Sequence, residues 1–178
     1  MMSDYMVSVL SLIGIQSFMA LSTYLLLISG QLSFGQQAYF GVGAFVGAAT
    51  TAMLGFNLVA ALVAGALTAG ILATAVAALT FRLGGLYFAV ATLAFAELMR
   101  LTWMNLTYQI NVNGFLIGPN GTEGFGGIRY IIDNDISQTG YLWIIALCLL
   151  LVLVFFFVLG RSRFGLALRM IDNDQTAA

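Results

Sequence analysis

Five apolar stretches decide what this chain can become. Each is close to the ~20 residues that a helix needs to cross the hydrocarbon core of a bilayer. The first is Met6–Ile28, the second covers 36–55, the third 58–80, the fourth 86–106 and the fifth 140–160. A chain built this way has no aqueous core to fold around. Its hydrophobic share is 61% and its charged share 7%, against roughly 25% charged in a soluble domain. The expected fold is all-α, a polytopic transmembrane helix bundle with about five spans. The N-terminal stretch carries Asp4 and no basic residue before its apolar run, so it reads as a retained first span rather than a secretory signal.

The same scarcity of polar side chains excludes several chemistries. There is no histidine, and Cys148 is the single cysteine. An internal disulfide, a Cys-based zinc site and His-dependent catalysis all fall away. No nucleophile–base constellation is present, so no catalytic residue, no metal site and no enzyme activity are expected. A net charge of −1 offers no basic surface for nucleic acid. Lipid is the partner that composition requires.

Between the spans lie the turn signals. Gly55-Phe56-Asn57 is a short turn, Arg82 with Gly84-Gly85 breaks the next pattern, and 107–139 is a polar, glycine-rich loop with Pro119-Asn120-Gly121 as a turn. Span parity puts Arg82, Arg161, Arg163 and Arg169 on one side and Arg129 on the other. The excess of arginine marks the cytoplasmic side, so the N-terminus and the 107–139 loop are expected outside it.

Three polar or small-residue features stand out. Gly43 and Gly47 in the second span, and Gly65 in the third, recur at four-residue spacing with other small residues. In lipid, close backbone approach through small faces supplies helix–helix contact. These spans are expected to cross tightly, against each other or against a second subunit. Gln31, Ser33, Gln36 and Gln37 are uncharged hydrogen-bonding groups beside Gly30 and Gly35. They fit either a broken helix lining a solute path or an ordinary hairpin loop. Glu97 and Arg100, three apart in the fourth span, can pair on one helix face. They either help to shape a polar path or form a structural pair near the outer interface.

Beyond 160 the chain changes character. Phe164, Leu168 and Ile171 share one helical face, while Arg161, Arg169 and Asp172 point elsewhere. Segment 161–178 therefore leaves the bilayer as an amphipathic handle on a membrane body spanning 1–160.

Three ordered blocks carry a family resemblance. Gln31-Leu-Ser-Phe-Gly-Gln-Gln-Ala-Tyr-Phe-Gly-Val-Gly-Ala-Phe resembles the glycine-rich signature of branched-chain amino acid ABC permeases, the LivH/LivM family. Arg82-Leu-Gly-Gly-Leu-Tyr-Phe-Ala-Val-Ala-Thr-Leu-Ala-Phe-Ala-Glu is similar to a second signature, of the LivM branch. Arg161-Ser-Arg-Phe-Gly-Leu-Ala-Leu-Arg-Met-Ile-Asp-Asn-Asp is similar to the block leading into the ATPase-coupling loop. The resemblance implies a subunit of an importer in the bacterial inner membrane, multi-pass, with its C-terminal segment in the cytoplasm. It implies a second permease subunit, cytoplasmic ABC ATPases and a periplasmic solute-binding protein as partners. No cofactor is bound by the permease itself, since ATP sits on the ATPases. The solutes are branched-chain amino acids or related small polar molecules such as urea and amides. Arg161, Arg163, Phe164, Gly165, Arg169, Asp172 and Asn173 take the ATPase-coupling role. The chain matches the N-terminal portion of such permeases, and 161–178 is expected to be a truncated coupling segment. The competing reading is a secondary transporter or channel-type bundle with Glu97 as an intramembrane relay.

Overall fold

The computed structural model describes residues 4–80, 82–112 and 114–162. Five long helices dominate: α1 (Asp4–Ile28), α2 (Gln36–Ala52), α3 (Leu58–Thr80), α4 (Gly85–Asn105) and, after a short α5 (Tyr130–Asp133), α6 (Gln138–Arg161). Four of them, all except α2 and α5, are long and apolar enough to cross a membrane. Helices are the solution that lipid imposes, because every backbone N–H and C=O must be satisfied within the segment. The hydroxyls follow the same rule. Ser11, Ser17, Thr50, Thr68, Thr74, Thr80 and Thr102 each donate back to the carbonyl four residues earlier, at 2.7–2.9 Å. A polar group bonded to its own helix needs nothing from its surroundings.

The apolar side chains point outward. Leu79, Leu86 and Trp143 are 83%, 78% and 71% exposed. Water would not tolerate such a surface over whole helices, and hydrocarbon does.

The chain divides into two compact units. The first combines Met1–Ser33 with Asp135–Ala178 and holds α1 and α6. These two pack where Gly14 meets Ile145, since a Cβ on Gly14 would lie 2.6 Å from Ile145 Cγ2. Ser137 caps α6 by accepting the Gly140 N–H at 3.1 Å, so the helix begins slightly ahead of the expected 140.

The second unit is Phe34–Asn134. Here α2 and α3 form an antiparallel pair, joined by a turn in which Gly55 adopts φ 68°. Asn57 then caps α3 by accepting the Ala60 N–H at 2.8 Å. The polar stretch after α4 is more than a loop. It contains a three-stranded antiparallel sheet, β1 (Ile110–Val112), β2 (Phe115–Pro119) and β3 (Phe125–Gly126), in that order. The register pairs Ile110 with Ile117 and Val112 with Phe115, and Gly118 with Gly126. A 3₁₀ turn at Gly121–Glu123 links β2 to β3, where the turn signal at Pro119-Asn120-Gly121 stood. The sheet is tied to the end of α4 by the Gly121 N–H, which donates to the Leu106 carbonyl at 3.0 Å.

Gly127 holds this sheet edge closed. Its φ is +78°, and a Cβ there would meet the Leu116 carbonyl oxygen at 2.6 Å. Gly127→Ala is expected to cost about 1–3 kcal/mol locally, from backbone strain and overpacking together. Hydrogen exchange checks it. The β1–β3 amides should lose protection while those of α3 and α4 keep theirs.

Candidate functional site

Helix α1 ends in a glycine closure. Gly30 sits at φ 72°, its N–H donates to the Leu27 carbonyl, and the Gln31 N–H reaches back to the Leu26 carbonyl, each at 3.1 Å. Residues 31–35 are then non-helical until α2 begins at Gln36. Gln31 and Ser33 belong to the first unit. Gln36, Gln37, Glu97 and Arg100 belong to the second.

Depth within the second unit follows from the glycine contacts. A Cβ on Gly65 would lie 2.7 Å from the Gly43 carbonyl oxygen, and one on Gly47 would lie 3.7 Å from that of Ala61. Carried on, this antiparallel register puts Gln36 level with Leu72. From there α3 runs on to Thr80, about 12 Å further at roughly 1.5 Å per residue. The start of α2 therefore falls well inside the depth that α3 spans. Backbone without helical hydrogen bonds at that depth must find partners in protein or a water-filled cavity.

Phe34 finds one. Its N–H donates to Thr92 Oγ1 at 3.1 Å, while the Thr92 hydroxyl donates to the Ala89 carbonyl at 3.0 Å. Thr92 is 1% exposed. Its hydroxyl binds across the fold, to a residue on another segment, and sequence reasoning missed it. A threonine inside an apolar span gives no hint of whether it back-bonds or reaches out. Below it, Tyr39 packs on Phe95 with ring centroids 5.6 Å apart. Phe45 stacks on Trp103 at 4.1 Å. Gln36 is buried, 7% exposed, and Gln37 is exposed. The Gln36 Nε2 and the Trp103 Nε1 are buried donors with no hydrogen-bond partner among the described residues. Such orphans are rare in folded proteins, where buried donors are nearly always met by protein or water.

Glu97 and Arg100 do pair. Arg100 Nη2 and Nε donate to the two Glu97 carboxylate oxygens at 2.6 and 2.9 Å, and Nη1 contacts Met104 Sδ at 2.8 Å. Glu97 lies about 140° around α4 from Thr92, at 100° per residue. Both charged side chains are more than half exposed. The structure does not bring this pair to Gln36.

Of the residues given a coupling role, Arg161 closes α6, with its guanidinium 4.2 Å above the Phe157 ring. Arg163, Phe164, Gly165, Arg169, Asp172 and Asn173 lie outside the described residues. Among the described residues no group of His, Cys, Asp or Glu is placed to hold a metal ion.

Long, apolar helices whose large side chains face outward define a multi-pass membrane protein. The family model described as "Branched-chain amino acid transport system / permease component" matches residues 5–178, and the chain belongs to that family. It is a transport family and not an enzyme family. As ABC-transporter permeases, its members work with ATPase and binding-protein partners. Neither a curated protein nor a solved structure matches the chain.

Proposed function

We propose that this chain is the membrane-embedded permease subunit of an ABC importer, of the LivM branch. It carries branched-chain amino acids, or a related small polar solute such as urea or an amide, across the bacterial inner membrane. A cytoplasmic ATPase drives it, a second permease subunit completes the conduit, and a periplasmic binding protein delivers the solute. The family match over 5–178 is the observation that carries this reading. The break between α1 and α2 supports it, because the unpaired Gln36 Nε2 offers a donor to a passing polar group. Gln31, Ser33, Gln36 and Gln37 are the path residues. Glu97 and Arg100 lie on another face of α4 and serve that path less directly. Their mutual bonds occupy both carboxylate oxygens, which disfavours Glu97 as a proton relay.

The arginines set the orientation, with Arg82 and the tail from Arg161 in the cytoplasm. Motion of segment 161–178 under ATPase closure passes to α6, and the bundle rocks between outward and inward access. Arg161, Arg163, Phe164, Gly165, Arg169, Asp172 and Asn173 form the coupling surface. ATP binds to the partner subunits, and the permease itself needs no cofactor.

The test uses the assembled transporter in proteoliposomes. Phe164→Ala combined with Arg169→Ala should cut solute moved per ATP hydrolysed at least tenfold, with the ATPase still turning over. Unchanged coupling argues against the lever. Uptake that persists without ATP and follows the pH gradient would favour the secondary-transporter reading instead.

A further inference from the structure

One cavity of the second unit lies at the opposite end of α2 from the break beside Gln36. It measures about 600 Å³ and opens where α2 ends and α3 begins, walled by the sheet and α5. Small-molecule sites occupy roughly 300–1,000 Å³. It stands at the opposite end of α3 from Arg82, the side that the arginine distribution assigns to the exterior.

Its polar groups are held and directional. The Arg129 guanidinium rests 4.2 Å above the Phe115 ring, which fixes its plane. Arg129 Nε meets Asp133 Oδ1 at 3.5 Å. The two Nη groups make no hydrogen bond among the described residues, so the fork that matches a carboxylate remains open. Asp133 Oδ2 is likewise uncommitted and offers a negative acceptor one helical turn away. Tyr130 accepts the Leu58 N–H at 3.0 Å, which pins the ring and leaves its phenolic hydrogen to donate. Asn57 uses Oδ1 to cap α3, leaving its Nδ2 to donate. Phe115 and the buried Ile117 supply an apolar wall.

We propose that this cavity binds a small zwitterion with an apolar side chain, an α-amino acid of the aliphatic class. The carboxylate takes the Arg129 fork, the ammonium takes Asp133, and the side chain lies against Phe115 and Ile117. A cation and an anion side by side suit a ligand carrying both charges. A simple anion would be repelled by Asp133, and a simple cation by Arg129. The choice of an aliphatic side chain rests on the transport reading above, whereas the demand for both charges rests on the cavity alone. The site would gather solute at the mouth of the conduit, separate from the break beside Gln36.

The full chain in lipid nanodiscs is titrated by calorimetry with three probes: L-leucine, 4-methylpentanoate, which lacks the amine, and 3-methylbutylamine, which lacks the carboxylate. L-Leucine should bind saturably, and each single-charge analogue at least tenfold more weakly. Arg129→Gln and Asp133→Asn should each weaken L-leucine at least tenfold. Arg129→Lys, which keeps the charge and loses the fork, should fall between. Absence of saturable leucine heat, equal binding of an analogue, or full binding by correctly folded variants would overturn the proposal. The analogue comparison on the unmodified chain decides even if a variant fails to fold. ATP-driven leucine uptake by the assembled transporter is measured alongside. Uptake without binding here removes the cavity and leaves the transport reading intact, and no leucine uptake removes leucine as the transported solute.

Discussion

Replacing Gly65 with leucine is expected to destabilise the α2–α3 pair by about 3 kcal/mol, the upper end of overpacking costs. The obstacle is backbone. A Cβ at 65 would lie 2.7 Å from the Gly43 carbonyl oxygen and 3.4 Å from its carbonyl carbon. A flexible side chain would swing aside, but a helical carbonyl moves only with its helix. Leucine would add branches to a contact that already excludes a methyl group, so the helices must part. In lipid their separation surrenders the close packing that holds them, since hydrocarbon supplies no hydrophobic drive between helices. Gly70, on the same helix, is the control, with nothing within 4 Å of its added Cβ. Gly70→Ala should be neutral or stabilising by up to about 1 kcal/mol, because alanine is the better helix former. Unfolding by titration with sodium dodecyl sulfate in mixed micelles reads both. A Gly65→Leu chain as resistant as the parent would show that the glycine contact contributes little.

Thr92→Val is expected to cost about 1–3 kcal/mol, the penalty of stranding a buried backbone donor. Valine keeps the shape of threonine and removes only the hydroxyl that receives the Phe34 N–H. In most positions the loss of a back-bonding hydroxyl from a membrane helix would pass unnoticed. Thr74, whose hydroxyl donates to the Gly70 carbonyl of its own helix, provides that comparison, and Thr74→Val should change little. Thr92→Ser, which restores the acceptor, should recover most of the lost stability. Transport is expected to fall with the same pattern, Val impaired and Ser active, because the Phe34 end of the break would no longer be fixed to α4. If Thr92→Val and Thr74→Val behave alike in both stability and uptake, the cross-fold bond has no special role.

Much of this protein is legible in its sequence. Apolar run length located the five long helices, with bounds that agree within a few residues. The third, 58–80, agrees at both ends. The three ordered blocks pointed to the permease family, to which the chain belongs. The small residues at four-residue spacing marked the faces of α2 and α3 that now meet through Gly43 and Gly65. The Glu97–Arg100 pair followed from helical spacing alone.

The 107–139 region was less legible, and the reason is physical. A run of glycines with positive φ, at 114, 118, 121, 124 and 127, reads locally as loop. The sheet exists because β1, β2 and β3 satisfy one another's backbone groups, and no single strand announces a partner. For the same reason the cavity around Arg129 was invisible. Its groups come from 57, 115–117 and 129–133, and only folding gathers them.

The order of amino acids alone determined that the chain must bury itself in lipid as helices, because a long apolar segment facing hydrocarbon can satisfy its backbone only through its own carbonyls. Only the tertiary structure decided which hydroxyl reaches across to hold the break, which face of α4 carries the charged pair, and which polar side chains share a cavity. Those are questions of distance between segments far apart in the chain, and periodicity records only neighbours on the same helix.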